Sequence, residues 1–184
     1  MKLWVKIRVK IRVINLLVIL RFDLPKFDLE GKFALITGGA GLLGKEHAKA
    51  LLKVNCKVII VDISSKNLHQ LKESLCNENC FFYNVDITSE SSIEDLSRKL
   101  KGQDIRVNIL INNAAVDPKV SKSLDNSLEK SRLENFPIHE WQNQINVGLT
   151  GAFLCSKIFG TIMAHELNEG IILNIASDLS VISP

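Results

Sequence analysis

Glycines at 38, 41 and 44 follow directly on an apolar run, in Thr37-Gly38-Gly39-Ala40-Gly41-Leu42-Leu43-Gly44, and lead into a helical pattern. Strand, glycine turn and helix in that order make a phosphate-binding context. Glycine lets the backbone turn tightly and approach a pyrophosphate, and the unpaired N–H groups at a helix start stabilise the anion. A glycine-rich turn alone would equally be a plain tight connection; the flanking strand and helix give it chemistry. Eighteen residues beyond Gly44, Asp62 closes the next apolar run. A carboxylate there accepts hydrogen bonds from ribose hydroxyls and repels a 2′-phosphate. No arginine follows at Ile63, Ser64 or Ser65 to hold such a phosphate, so NAD is the expected cofactor and NADP the less favoured one. The bland alternative for Asp62 is a helix-capping or solvated side chain.

The elements that must position these residues are legible as short apolar runs alternating with helical periodicity. Lys32–Thr37, Lys57–Asp62, Phe81–Val85, Val107–Ile111 and Ile171–Ala176 are near-continuous apolar segments, as strands buried on both faces should be. Helices are predicted over 42–54, 66–76, 90–101 and 139–165, with Leu68, Leu71 and Leu75, or Ile93, Leu96 and Leu100, at spacings of three and four. Strands alternating with helices imply βαβ units. The fold class is therefore α/β, a Rossmann-type doubly wound parallel sheet in the order 3-2-1-4-5, incomplete at its C-terminal end. Residues 27–184 form this partial NAD-binding domain. Ligands in such folds bind at the carboxyl ends of the strands.

Seven of the 23 Lys/Arg but only one of the 20 Asp/Glu lie in residues 1–26, so the net charge of +3 belongs to that segment and the body is slightly acidic. This excludes a general nucleic-acid footprint. In the segment, Lys6, Arg8, Lys10 and Arg12 alternate with Ile7, Val9, Ile11 and Val13, a strand-like period. The apolar run 14–20 is far shorter than the roughly 20 residues that span a bilayer. Residues 1–26 are read as an extension outside the core, with membrane contact not expected. Cys56, Cys76, Cys80 and Cys155 are too few and too scattered for a disulfide framework, and no second pair closes a zinc site. No metal is expected, and the thiols read as reduced and cytoplasmic.

The glycine turn, the Asp86-Ile87-Thr88 after the third strand and the Asn112-Asn113-Ala114-Ala115 after the fourth together resemble the short-chain dehydrogenase/reductase family, over residues 27–184. The resemblance implies that Thr37, Gly38, Gly41, Leu43 and Gly44 hold the pyrophosphate side of the cofactor, and that Asp86 and Ile87 contact the adenine. It also implies that Asn113, Ala114 and Ala115 border the nicotinamide riboside. Two catalytic positions match the family pattern: Ser177, after the fifth strand, would hydrogen-bond the substrate oxygen, and Asn146 would hold a water in a proton relay. Alone, a helical Asn and a loop Ser would be structural. The resemblance further implies an oxidoreductase acting on a small molecule with a CH–OH or carbonyl group, extending to a sugar or surface-glycan precursor, and homo-oligomeric full-length relatives.

Two features depart from the family. Leu42 stands where shorter members carry a second glycine, a spacing similar to that of the nucleotide-sugar-modifying branch, so a sugar-nucleotide epimerase or dehydratase is an alternative. The family's proton donor, a Tyr in Tyr-x-x-x-Lys after the serine, has no counterpart: the one tyrosine, Tyr83, lies in the third strand. A positioned acid or base contributes about 10²- to 10⁴-fold, so this chain is expected to be inactive by itself, apparently truncated before that motif, and a non-enzymatic dinucleotide-binding fragment is the second alternative. The polar segment 117–135 either shapes the substrate site or is a tolerated insertion. His139 and Trp141 would border the pocket or simply cap and pack.

Overall fold

A computed structural model describes residues 27–116 and 132–177. The N-terminal extension 1–26, most of the polar segment (117–131) and residues 178–184 lie outside the described residues. The elements run β1 (Phe33–Thr37), α1 (Leu42–Leu52), β2 (Lys57–Asp62), α2 (Ser65–Leu75), β3 (Cys80–Asn84), α3 (Glu90–Gly102), β4 (Val107–Asn112), α4 (Ile138–Leu167) and β5 (Ile171–Asn174), with a 3-10 turn at Leu133–Asn135. The five strands are parallel, as the alternation of strand and helix implies, and lie in the expected order β3-β2-β1-β4-β5.

Burial explains why β1 and β2 read as unbroken apolar runs. Ala34, Leu35, Ile36, Val58, Ile59 and Ile60 are fully buried because helices cover both faces of the sheet there. On one face Ile36, Val58 and Ile60 pack with Ala48 of α1 and Leu68 and Leu71 of α2. On the other, Leu35, Ile59 and Leu110 pack with Ile93, Leu96 and Leu100 of α3 and with Leu154, Cys155 and Phe159 of α4. The apolar length of α4 is thus partly spent on the core.

The structure corrects several boundaries. The first helix stops at Leu52, two residues early, because the chain turns through Asn55 in a left-handed conformation (φ 63°). The third strand begins and ends one residue earlier than the apolar pattern suggests. The stretch 139–165 is one continuous helix that loosens twice, into π-helical turns at Asn146–Gly151 and Met163–Leu167. The fifth strand ends at Asn174 and is exposed along its whole length, with Ile171 60% accessible. Its apolar residues were expected to be buried on both faces. At the sheet edge, nothing among the described residues covers its outer side.

Candidate functional site

Thr37 ends β1 as a buried anchor. Its Oγ1 donates to the Ile111 carbonyl (3.5 Å) and accepts from the backbone N–H groups of Asn113 (3.0 Å) and Ala114 (3.1 Å). The Asn113 side-chain amide returns two bonds, to the carbonyls of Thr37 (3.0 Å) and Gly38 (3.1 Å). The loops leaving β1 and β4 are thereby locked side by side. Gly38 takes φ +59°, and a Cβ there would fall 2.8 Å from the Ala114 Cα, so both conformation and space demand glycine. At Gly44 a Cβ would stand 2.5 Å from the Gly38 carbonyl oxygen; the first turn of α1 sits directly on the loop.

Helix capping separates α1 from its neighbours. Ser64 caps α2 by accepting from the Asn67 N–H, and Ser89 caps α3 by accepting from the Ser92 N–H. Gly41 caps α1 with no side-chain bond, and the first turn of α1 has no acidic residue. First-turn N–H groups have no intrahelical acceptor, so this helix start presents donors suited to an anion such as a pyrophosphate.

Asp62 is held from two sides: one carboxylate oxygen accepts from the Ala40 N–H (3.1 Å) and the other from the Ser64 N–H (2.9 Å). Four lone-pair sites on a carboxylate leave capacity for ribose hydroxyls. Asp86 accepts from the Thr88 N–H (2.9 Å) and hydroxyl (2.7 Å), and Ile87 is buried against Gly151 of α4.

These loops enclose a cavity of about 940 Å³ at the carboxyl ends of the strands. Of the residues singled out in the sequence, Gly38, Gly41, Leu43, Asp62, Asp86, Ile87, Asn113, Ala114 and Ala115 line it. Thr37 and Gly44 do not; they brace the loop from behind. Neither of the two catalytic candidates lines the cavity. Asn146 is exposed at the start of the first π turn, one residue before Val147, which does line it, and Ser177 is exposed three residues beyond β5. His139 and Trp141 are exposed and stand outside the lining. The cavity also takes in Lys45, Asn67, Gln70 and Ser74, which the sequence reading passed over. Positions 67, 70 and 74 lie on one side of α2, a signal indistinguishable in sequence from an ordinary solvated face.

Asn112, 6% exposed, ties the strand edge together: its amide donates to Asn174 Oδ1 (2.8 Å) on β5 and Ser156 Oγ (3.0 Å) on α4. The Tyr83 hydroxyl donates to Gln103 Oε1 (2.7 Å), and burial pushes its pKa above the usual phenol value. Tyr83 is not a cavity residue. Among the described residues no group of three His, Cys, Asp or Glu side chains is placed to hold a metal.

A doubly wound parallel sheet whose glycine turn, β2 acid and β4 loop converge on one cavity defines a dinucleotide-binding type of α/β domain. More particularly, the chain belongs to the short-chain dehydrogenase/reductase family: the family model described as short chain dehydrogenase matches residues 32–183. It is 34% identical over 161 residues to the short chain dehydrogenase/reductase dpfgG of Gibberella zeae, covering 86% of this chain and 55% of that protein. It is 30% identical over 156 residues to the 2-dehydro-3-deoxy-D-gluconate 5-dehydrogenase of Bacillus subtilis, covering 84% and 56%. A solved short chain dehydrogenase from Leptospira borgpetersenii with bound NAD+ superposes with a TM-score of 0.71 at 26% identity, covering 85% of this chain and 56% of that one. The chain spans about half the length of the first of these curated relatives. The relatives are oxidoreductases, and the epimerase or dehydratase alternative read from the glycine spacing gains no support from them.

Proposed function

We propose that this chain is the dinucleotide-binding part of an oxidoreductase that interconverts a CH–OH group and a carbonyl, with NAD preferred over NADP. The observation that carries the proposal is the placement of Asp62. It lines the same cavity as the glycine turn, with both oxygens oriented by backbone N–H groups and no arginine in the following turn. A carboxylate so fixed favours a ribose diol and opposes a 2′-phosphate. The relative solved with NAD+ supports the same reading. The bound nicotinamide would exchange a hydride with the substrate carbon. Gly38, Gly41 and Leu43 would seat the pyrophosphate, with Thr37 and Gly44 bracing their loop, Asp86 and Ile87 would contact the adenine, and Asn113 to Ala115 the nicotinamide riboside. Ser177 would hydrogen-bond the substrate oxygen and Asn146 a relay water.

Proton delivery to that oxygen is not assigned to any described residue. Tyr83 is engaged by Gln103 away from the cavity and is not placed to supply it, and the chain by itself is expected to bind cofactor without turnover. A sugar-like substrate is favoured by the sugar-acid dehydrogenase among the relatives. A homo-oligomer and a cytoplasmic setting complete the proposal; the latter rests on four free cysteines.

The test is a fluorescence titration of the 184-residue chain with NADH and NADPH, run beside a turnover assay on a panel of sugar and non-sugar carbonyls. Binding of NADH in preference to NADPH without turnover is expected. Failure to bind either dinucleotide refutes the proposal, and turnover refutes its inactive half.

A further inference from the structure

Asn84 is the last residue of β3 and stands in register with Asp62 across the β2–β3 ladder. Its side-chain amide donates to two successive carbonyls of the chain leaving β2, those of Asp62 (3.1 Å) and Ile63 (2.8 Å). The Asp62 carbonyl also receives the ladder bond from the Val85 N–H (3.1 Å), but Ile63 lies past the end of β2, where no strand bond fixes the backbone. Asn84 extends the hold of β3 one residue beyond the ladder. Ile63 itself lines the cavity and is 71% exposed, so its own packing does little to fix its backbone.

We propose that Asn84 is a positioning residue for cofactor choice: by holding the Asp62–Ile63 carbonyls it fixes the turn from which the Asp62 carboxylate faces the cavity. This rests on the function proposed above. The direction of Asp62 depends on the course of the chain on both sides of it. Its oxygens are bound by the Ala40 and Ser64 N–H groups, and Ser64 lies only two residues along the same turn. Were the Ile63 peptide to rotate, the Ser64 N–H would swing away from Asp62, because the Ile63 carbonyl and the Ser64 N–H belong to one rigid peptide plane. Asn84 thus acts on Asp62 through a single peptide group. An amide is suited to this task, since its NH₂ supplies two donors for two carbonyls. A carboxylate at position 84 would offer only acceptors to them.

The consequence is specific. Loosening the turn weakens the attraction of Asp62 for a ribose diol and relaxes its repulsion of a 2′-phosphate. Discrimination between the two dinucleotides therefore falls more than stability does.

The test compares wild-type chain, Asn84→Ala and Asn84→Ser by fluorescence titration with NADH and with NADPH, with thermal unfolding of each as a control. In Asn84→Ala, NADH affinity is expected to fall about fivefold, the scale of one or two net hydrogen bonds, while NADPH affinity holds or rises. Asn84→Ser, which keeps one donor, should lie between. Unchanged NADH affinity in Asn84→Ala would overturn the inference, and so would parallel losses for NADH and NADPH, which would mark a merely structural bond. If the wild type binds neither dinucleotide, the proposed function fails and this inference with it; a wild type that binds NADH beside an indifferent Asn84→Ala fails the inference alone.

Discussion

The β1–β2 centre of the sheet and its β5 edge are built from the same kind of sequence and end in different states. Leu35, Ile36, Ile59 and Ile60 are fully buried under helices on both sides, whereas Ile171, Ile172 and Leu173 are 60%, 41% and 47% exposed. The glycine turn, Asp62 and the β4 loop all issue from the covered part and are braced by bonds such as those of Thr37 and Asn113. Ser177 issues from the open part, beyond a strand that among the described residues pairs on one side only, with β4. An apolar run therefore reports strand character, while its burial depends on what lies over it. The positions proposed for cofactor binding and Ser177, proposed for catalysis, thus differ in how firmly the strands before them are packed.

That contrast can be broken most sharply in the core. Ile59→Ala, a truncation at a site with no solvent exposure, should cost about 3 kcal/mol, read as a shift in the denaturant midpoint. A loss under about 1 kcal/mol would mean that the centre is no better packed than the edge. Next in size is Gly44→Ala, which pushes a methyl carbon to 2.5 Å from the Gly38 carbonyl and must displace the glycine turn or α1. NADH affinity should drop by about tenfold or more, corresponding to roughly 1.4 kcal/mol. Retained affinity would show that the turn is not the pyrophosphate seat.

Much of this was readable in advance, for identifiable reasons. Parallel strands buried on both faces announce themselves by composition, so β1, β2 and the strand order followed from alternating runs and crossover handedness. The glycine turn was legible because steric demand restricts residue type, as Gly38 at φ +59° against Ala114 illustrates. What escaped depends on tertiary placement. The π turn at Asn146–Gly151 falls within a stretch whose periodicity is simply helical, and Ile87 closing on Gly151 is a contact no spacing encodes. Lys45 and the polar side of α2 became cavity residues only because the glycine turn and α2 face one space. Asn84 carries no signal in the sequence, since its bonds to two successive carbonyls arise only once β2 and β3 are paired.

A smaller effect comes from pH. Burial pushes the Cys155 thiol up to about 12 and the Cys56 thiol up to about 11, from an ordinary 9.0. Below pH 9.0 both are protonated folded or unfolded and stability is indifferent to them. Above it the unfolded thiols ionise while the folded ones do not, so the folded state binds more protons and stability falls as pH rises towards 11 to 12. At pH 10 each thiol should cost about 1.4 kcal/mol relative to pH 8. Cys155→Ala should therefore narrow its stability gap to wild type by about 1.4 kcal/mol between pH 8 and 10, measured by denaturant unfolding at each pH. A gap that stays constant would mean that water reaches Cys155.

The smallest expected effect sharpens the comparison from the other end. Leu173 is as apolar as Ile59 and lies in a strand of the same sheet, yet it is 47% exposed. Its neighbour across the ladder is Ile111, which is buried against the α1 side of the sheet, so Leu173 extends that apolar face beyond the cover that the described helices provide. A hydroxyl there keeps its hydration, and little apolar area returns to water. Leu173→Ser should change the unfolding free energy by no more than about 0.5 kcal/mol, against about 3 kcal/mol for Ile59→Ala in the same denaturant series. A loss above about 2 kcal/mol would show that another surface covers this face in solution, and the edge would then have to be counted with the centre as core.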